Sequence, residues 1–523
     1  MGFIIDMIPH LVLAALLAIL IRTVSRQRPV ITRNGRPLRK PPGTLLLIGN
    51  GFKFLQPRWQ LFSWFNKCQQ QFGYETVALT VPTLPPGVLV HDPKVLNFIF
   101  KNEGLFAKGA FVKKRTWDLF GDGIINADGD LWKLQRKAGA AFLTPANLRV
   151  LTDVALPQYL GEAVSELTAK ADGKTIVDLQ HIFHEITSKI MGKMAYNMEM
   201  HADEDFTKSF DFASGGIAER FQNPFWQLTE RFTGSKLRKS IATVKDYGQH
   251  IVSRAVTDRS FSNPDLKSSK LDQISGSLIQ SLLNSIPDHA TVANAALTYL
   301  SAGRDTTAQA LTWAFYLLLR HPTYLTKIRE ELTHFLAQDL PSDLENPLPI
   351  NPTLLTPSSA PYTLAVFYET IRLYPPIPFE IRQCKAPPGT TTTLPDGTVL
   401  PHGAVLVWCL FALQRSKLTW GEDADRFRPE RFLVEVDGPG DGRKRISFQL
   451  GKTTGEFPVF YGGSRTCLGR RMAEAVAVQV IAVLAWLFEF EEVDKSRERI
   501  SGSSLTLPME GGLPVRVKRC GKS

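Results

Sequence analysis

The sequence contains few cysteines and no internal repeat. Its five cysteines form no C-x-x-C pair and are odd in number, which excludes a disulfide framework and suggests a reducing compartment. The lack of a fixed period argues against a solenoid or a propeller. No nucleic-acid-binding module is recognisable, so the 61 Lys and Arg against 50 Asp and Glu favour a membrane surface or an acidic protein partner. What is present is the composition of a large globular protein, with 44% hydrophobic and 21% charged residues.

A long apolar run lies at the amino terminus. Phe3 to Ile21 are mostly apolar, and 19 residues are just enough to cross a bilayer as a helix. No Lys or Arg precedes the run, whereas seven follow it within residues 22–40. We therefore predict a membrane anchor over residues 1–22 and a basic, proline-rich hinge over residues 23–43, with the rest of the chain cytosolic. A cleaved signal peptide or a buried core helix is the alternative.

The remaining chain, residues 44–523, has the patterns of one large domain. Segments rich in Val, Thr and turn residues predict short strands within Tyr74–Val90 and Thr391–Val407. The longest helical pattern runs from about Thr291 to Arg320 and is stopped by His321-Pro322. No break in composition divides the segment, so we predict a mainly α fold with small β-sheets, of the α+β class.

The most informative segment, FYGGSRTCLG, runs from Phe460 to Gly469 and fits the pattern F-x-x-G-x-R-x-C-x-G. A glycine-rich loop lets backbone N–H groups approach an anionic sulfur, and a cysteine thiolate on haem iron favours O–O cleavage. We therefore predict haem b (iron protoporphyrin IX) as the cofactor, with Cys467 as the metal ligand and Arg465 pairing with a haem propionate. Phe460, Gly463 and Gly469 are further predicted haem contacts. A buried structural cysteine is the alternative.

With these residues the chain resembles the cytochrome P450 superfamily, over nearly all of residues 40–518. Glu369 and Arg372 look like the family's E-x-x-R helix pair, and Arg431 in FRPERF matches the arginine that joins it. The resemblance implies the cytochrome P450 fold. It also implies that these three side chains form a buried network that supports haem incorporation and does no chemistry.

A second motif, AGRDTT, occupies Ala302 to Thr307 in the middle of the long helix. It resembles the family's oxygen-activating motif, and an acid and a hydroxyl inside an apolar helix are costly unless they are used. The resemblance implies that Thr306 hydrogen-bonds bound dioxygen, that Asp305 relays protons from solvent and that Gly303 opens a local groove. A polar pair that only bonds back to the helix is the alternative.

Trp132 and Arg136 stand four residues apart and resemble the family's W-x-x-x-R pair, which reaches a haem propionate. The resemblance also implies a substrate pocket lined by Ile125, Ala302, Ile377 and Leu505. Ordinary core packing is the alternative for each of these four residues. Tyr461 stands where the family most often has glycine, and it predicts a bulkier surface beside the cysteine loop.

Within the superfamily the sequence is most similar to the eukaryotic fatty-acid and alkane hydroxylases, in particular to fungal members. The implied activity is that of a monooxygenase, which inserts one oxygen atom from O₂ into a lipophilic small molecule. Three alternatives stay open: a tailoring oxidase of polyketide or terpenoid secondary metabolism, a haem-thiolate isomerase or dehydratase, and a non-catalytic haem protein. Pocket residues do not separate the first of these from a fatty-acid hydroxylase.

No flavin- or NADPH-binding domain follows residue 518, so we expect electrons from another protein. The resemblance implies an NADPH–cytochrome P450 reductase with an acidic flavin domain, and a location in the endoplasmic reticulum membrane with a single span and a cytosolic catalytic domain. Membrane lipid is a second expected partner and nucleic acid is not. The predicted docking surface consists of four basic residues, Lys133, Lys137, Arg470 and Arg471.

Overall fold

The computed structural model describes residues 15–16, 30–45, 48–81, 84–261, 270–333, 350–437 and 444–520. Helices predominate in this part of the chain. In chain order, α1 to α19 are Gly51–Phe54, Arg58–Phe72, Pro93–Lys101, Gly109–Phe120, Gly129–Phe142, Pro145–Val150, Leu156–Ala169, Leu179–Met191, Asp205–Gln222, Trp226–Thr233, Ser235–Phe261, Lys270–Ile274, Ser277–Ser285, His289–Arg320, Pro322–Leu332, Pro361–Leu373, Leu410–Leu413, Lys417–Trp420 and Arg470–Leu487.

The strands are short and lie in small sheets. In chain order, β1 to β14 are Thr32–Arg33, Arg36–Pro37, Val77–Leu79, Gly87–Leu89, Phe106–Ala107, Asp172–Asp178, Phe379–Cys384, Thr391–Thr393, Thr398–Pro401, Val405–Cys409, Leu433–Asp437, Lys444–Phe448, Phe488–Glu492 and Pro514–Arg519. They form sheets in the orders β2-β1-β9-β8, β3-β4-β10-β7-β5, β11-β12 and β13-β14-β6. The prediction of a mainly α chain with small β-sheets is confirmed.

The long helix α14 is the centre of the core. It begins after Asp288, whose side chain accepts hydrogen bonds from the backbone N–H groups of Ala290 and Thr291 at 3.3 and 2.9 Å. It ends at Arg320, because His321 precedes a proline and is disfavoured in a helical conformation. Helices α8, α11, α16 and α19 pack against it. A helix that is apolar around most of its circumference is stable only when it is enclosed in this way.

The structure describes part of the predicted hinge but almost none of the predicted membrane anchor. Within the described residues, no helix is long and apolar enough to cross a bilayer. The predicted anchor, Phe3 to Ile21, lies almost entirely outside those residues and stays a prediction. Part of the predicted hinge is packed onto the body, since Thr32 in β1 pairs with Val399 in β9.

Candidate functional site

A cavity of about 470 Å³ lies between α14 and the five-stranded sheet. Cys467 and Thr306 both line it. All four residues of the predicted substrate pocket line it as well: Ile125, Ala302, Ile377 and Leu505. Much of the remaining wall is aromatic or aliphatic, with Phe65, Phe120 and Phe221 among its members. Such a lining suits a lipophilic molecule, because few polar groups are available to hydrogen-bond a polar one.

Cys467 lies in a loop that leads into α19. The backbone N–H of Cys467 donates to the carbonyl oxygen of Phe460 at 2.8 Å, which closes the loop. Gly463 has a φ of 63°, and a Cβ at this position would lie 2.1 Å from the carbonyl oxygen of Phe100. Only glycine fits there. Because Gly469 immediately precedes α19, the sulfur lies at a helix amino terminus, where backbone N–H groups are unpaired.

Groups around the sulfur offset part of the effect of its burial, which leaves the pKa of the Cys467 thiol raised. Burial raises the pKa of the Cys467 thiol, but the backbone N–H groups of Gly469 and Arg470 and the positive charges of Arg136 and Arg470 act in the opposite direction. Hydrogen bonds to the charged form stabilise that form. These groups are placed to stabilise the sulfur when it binds a metal ion, which itself holds a coordinating thiol in the thiolate form.

The other four cysteines, Cys68, Cys384, Cys409 and Cys520, do not line this cavity. Burial raises the pKa of Cys68 and of Cys409 to about 12, so both remain neutral thiols at physiological pH. Burial also raises the pKa of Cys520. Among the cysteines, the surroundings of Cys467 alone fit an iron ligand.

The residues beside the sulfur also fit the two carboxylates of a haem. Arg136 is partly buried and forms no ion pair with the described residues, so its charge is available. The guanidinium of Arg465 lies 4.6 Å from the centre of the Trp132 ring, so the fold places the predicted W-x-x-x-R pair next to the cysteine loop. A haem bound here would be held by Cys467 and would have Arg136 and Trp132 within its neighbourhood.

Arg465 already forms hydrogen bonds to other residues of the protein, which its sequence motif does not predict. Its Nε donates to Glu103 at 2.6 Å, its Nη2 donates to Asp128 at 3.0 Å and its Nη1 donates to the carbonyl oxygen of Ala127 at 3.2 Å. Each nitrogen of the guanidinium therefore has a partner. Nη1 and Nη2 each keep a second N–H group that could meet a propionate, whereas Arg136 forms no ion pair with the described residues and has its whole charge available.

Glu369, Arg372 and Arg431 form one buried network. Arg372 donates from Nε and Nη2 to the two carboxylate oxygens of Glu369 at 2.7 and 2.9 Å. Arg431 donates to the same carboxylate at 2.9 Å. The Nη1 of Arg372 also donates to the carbonyl oxygens of Gln414 and Ala424 at 2.5 and 2.6 Å. The network joins α16 to the segment after α18, and it lines no part of the cavity, as expected for a structural role.

The acid and the hydroxyl of α14 point in different directions. The Thr306 hydroxyl lines the cavity and donates to the carbonyl oxygen of Ala302 at 2.7 Å. Asp305 is buried on another face of the helix, where its carboxylate lies 3.0 Å from Nη1 of Arg304. Its link to the cavity is Ser301, which lines the cavity and donates to Asp305 at 3.4 Å. Sequence reasoning missed Ser301, although its position four residues before Asp305 was a usable signal.

Asp305 also has a connection to solvent. Arg304 bridges to the exposed carboxylate of Asp211 at 3.3 Å. Burial raises the pKa of Asp305 to about 7, with Arg304 lowering it and Asp211 raising it. His184 lies 4.0 Å away, and burial lowers its pKa well below the usual value, so it stays neutral. A carboxyl group that titrates near neutral pH can both take up and release a proton during turnover.

Two expectations for single residues are wrong. A Cβ on Gly303 would lie 2.5 Å from the sulfur of Met191 on α8, so this glycine permits close helix packing and does not open a groove in the cavity. Tyr461 does not enlarge the surface, because its ring packs 4.5 Å from that of Phe100 and its hydroxyl accepts from Nε of Arg382 at 2.8 Å. The φ of Tyr461 is 60°, a strained value for a residue other than glycine.

The four predicted docking cations are not equivalent. Lys137 and Arg471 are exposed. Lys133 is exposed and pairs with Asp130 at 2.9 Å. Arg470 is partly buried and donates to Glu474 at 2.9 Å and to the Tyr368 hydroxyl at 3.0 Å. Arg470 therefore contributes to the cysteine loop more directly than to a docking surface.

Comparison with known proteins agrees with this geometry. Residues 40–513 match the model of the family described as Cytochrome P450. The chain is 29% identical over 509 residues to "Cytochrome P450 CYP94D108" of Paris polyphylla, covering 93% of both chains. It is 26% identical to "Cytochrome P450 94A2" of Vicia sativa, covering 95% of this chain and 94% of the relative. It is 28% identical to "Cytochrome P450 monooxygenase cyp1" of Mycosarcoma maydis, covering 93% and 76%.

The predictions of the cytochrome P450 fold and of haem b with thiolate ligation are thereby confirmed. The substrate is not decided by these similarities, because function is set by the site more than by the fold. The match over residues 40–513 shows that the chain belongs to the cytochrome P450 family and is a haem-dependent monooxygenase, an oxidoreductase.

Proposed function

We propose that this monooxygenase hydroxylates a long hydrocarbon chain, as in a fatty acid or an alkane, with electrons from an NADPH–cytochrome P450 reductase. The observation that carries the proposal is the single cavity that Cys467 and Thr306 share with an apolar wall. An alkyl chain needs such a wall, since it offers no hydrogen-bonding groups. The proposal is supported by cytochrome P450 relatives that match this chain over nearly their whole length.

When bound, the haem supplies the iron at which dioxygen is activated, and Cys467 is the residue that would hold it. The Thr306 hydroxyl faces the cavity and is placed to hydrogen-bond oxygen there. Asp305 holds a proton on the other side of α14, and the Ser301 hydroxyl between them gives that proton a route to the cavity. The ion pairs of Arg304 join Asp305 to Asp211, whose carboxylate is exposed to solvent, the source of the proton that Asp305 takes up again.

The test of the function is turnover by the full chain reconstituted with an NADPH–cytochrome P450 reductase. We expect oxygen uptake that depends on NADPH, together with hydroxylated products of long-chain fatty acids or alkanes identified by mass spectrometry. Hydroxylation of polyketides or terpenoids with no turnover of alkyl chains would replace this proposal by a tailoring oxidase. Conversion of a peroxide without NADPH would indicate an isomerase.

Thr306→Ala is expected to leave the haem spectrum unchanged and to release reducing equivalents as hydrogen peroxide. Product formed per NADPH consumed should fall by about 10-fold or more, because the hydroxyl is absent when oxygen is bound. Thr312→Ala is the matched control, since Thr312 makes the same type of bond, to the carbonyl oxygen of Ala308 at 2.9 Å, but does not line the cavity. Equal coupling in the two variants would exclude Thr306 from the role.

Turnover by the native chain should fall as the pH rises through about 7. The pKa of Asp305 is raised to about 7, so the group is protonated and able to donate below this pH and loses the proton above it. Asp305→Asn has no carboxyl group to titrate, and we expect slower turnover with a flat pH profile in this range at unchanged substrate affinity. The measurement is product rate against pH with saturating reductase. A variant that keeps the native profile would contradict the relay.

We also propose that the protein acts at the endoplasmic reticulum membrane, with its reductase docked beside the cysteine loop. Exposed apolar residues cluster near the end of α9 and around α1, namely Phe52, Leu55, Phe225, Leu228 and Phe232. Gln222 joins the two regions by donating to the carbonyl oxygens of Phe54 and Gln56 at 3.2 and 3.0 Å. Such a patch supports contact with lipid beyond the anchor, and binding of anchor-deleted protein to lipid vesicles measures it.

For the reductase, Lys137 and Arg471 are the exposed cations that support the proposed docking beside the cysteine loop. The reduction rates of Lys137→Glu and Arg471→Glu at low ionic strength test this docking.

A further inference from the structure

One arginine in the cavity wall has no function in the chemistry described above. Arg58, the first residue of α2, lines the cavity, and its Nη1 atom is buried without a hydrogen-bond partner. It forms no ion pair with any described residue. Burial lowers the pKa of Arg58 to about 10, and the thiol of Cys409 opposes this only in part. The guanidinium is therefore still charged at neutral pH.

The other cations of the wall are already neutralised. Lys108 pairs with Glu380 at 3.3 Å, and Arg465 pairs with Glu103 at 2.6 Å. Among the described residues that line the cavity, Arg58 is thus the one cation that lacks a carboxylate. Arg58 is half-buried, but its buried Nη1 has lost water and gained no acceptor in return, which is unfavourable for a charged group.

The described residues around Arg58 offer it an aromatic face and no carboxylate. Its guanidinium lies 5.4 Å from the centre of the Phe62 ring. That ring packs against Phe379 and Phe411, with centres 5.1 and 5.2 Å apart. An aromatic face attracts a cation weakly, but it does not satisfy the N–H groups of a guanidinium. The geometry is that of an anion site whose anion comes from outside the chain.

Arg58 is not among the charged residues that act on the Cys467 sulfur. The charged residues that act on the Cys467 sulfur are Arg136 and Arg470, whereas Arg58 belongs to the wall formed by α2 and the strands β7 and β10. Cys467 and Arg58 line the same apolar cavity, in which Arg58 is grouped with the residues of α2, β7 and β10. A ligand that pairs with the Arg58 guanidinium and also fills the apolar cavity needs an anionic head and a hydrocarbon chain.

We propose that Arg58 binds the carboxylate of a long-chain fatty acid and holds its hydrocarbon chain in the cavity that leads to Cys467. This inference rests on the proposed function and narrows it from alkyl chains in general to free acids. A guanidinium binds a carboxylate through two parallel N–H···O bonds, which also fixes the orientation of the chain. Arg58 is then a specificity residue, and methyl esters, fatty alcohols and alkanes of the same length lack the group that it recognises.

The test is a spectral titration of the haem-loaded full chain with a long-chain fatty acid, its methyl ester and the alcohol of equal chain length. Arg58→Met should weaken binding of the acid by about 10- to 100-fold, the range expected for hydrogen bonds to a charged group. Binding of the ester and the alcohol should change little. Arg58→Lys should retain part of the preference for the acid. Arg231→Met is the control, since Arg231 is exposed and does not line the cavity.

The outcomes separate this inference from the function on which it rests. Equal loss of acid, ester and alcohol binding, or unchanged acid binding in Arg58→Met, would overturn the role of Arg58 while leaving the hydroxylase intact. Failure of the native chain to bind or oxidise any of the three ligands would overturn the proposed function itself. If Arg58→Met does not take up haem, the binding of acid, ester and alcohol is compared in Arg58→Gln instead, because this substitution keeps a polar side chain and removes the charge.

Discussion

Replacing Cys467 with serine should abolish monooxygenase activity, by at least about a thousandfold. The reduced carbon-monoxide complex should also lose the absorption band after which the family is named. The reason is that a serine hydroxyl stays protonated and cannot donate electron density to iron as a thiolate does. The backbone of the loop is held by glycines and by the bond from the Cys467 N–H to Phe460, so the fold should survive the substitution. Difference spectra and product formation measure the two losses.

The control for this substitution is Cys520→Ser, which removes a partly buried thiol that does not line the cavity. It should keep the native band and activity. A native band in Cys467→Ser would show that another residue holds the iron. Loss of the band in Cys520→Ser would show that the spectrum reports on stability and not on ligation.

Glu369→Ala should prevent accumulation of folded, haem-loaded protein. The carboxylate is fully buried and accepts hydrogen bonds from Arg372, from Arg431 and from the backbone N–H of Arg428. Without it, Arg372 is buried with no counter-charge among the described residues, and Arg431 keeps only Asp423 at 3.4 Å. Removing one partner of such a network costs about 3 to 5 kcal/mol, a large part of a total stability of roughly 5 to 15 kcal/mol. Haem content and the denaturant midpoint measure the loss.

Glu422→Ala is the matched surface control. Glu422 pairs with Lys417 at 2.7 Å, but its side chain is 88% exposed. An exposed ion pair contributes at most about 1 kcal/mol, so this variant should have nearly the native midpoint and haem content. Similar losses in the two variants would contradict a special role for the buried network.

The motifs that could be predicted from sequence are those whose residues are close neighbours along the chain. The cysteine loop depends on glycines within a few residues of Cys467, and one of them, Gly463, is required by a positive φ. Glu369 and Arg372 share a helix face because they are three residues apart. For the same reason the end of α14 at Arg320 was predicted from His321-Pro322, and its start, predicted at about Thr291, lies at His289.

The wrong predictions concern the directions in which side chains point. Gly303 was assigned to the cavity but faces Met191. Tyr461 was assigned to the surface but packs against Phe100. These outcomes depend on the rotation of α14 and on what packs against α14 and the cysteine loop, which no local pattern specifies.

The sequence by itself determined the family, the cofactor and the elements that carry the site, since short-range geometry and the chemistry of single residue types are enough for these. Only the tertiary structure decided that Ile125, Ala302, Ile377 and Leu505 share one cavity with Cys467. It also decided that Arg465 already has carboxylate partners, whereas Arg58 has none within the part of the chain that the structure describes. Whether a charge is paired depends on which distant segments pack around it, and that is a property of the folded chain and not of its local sequence.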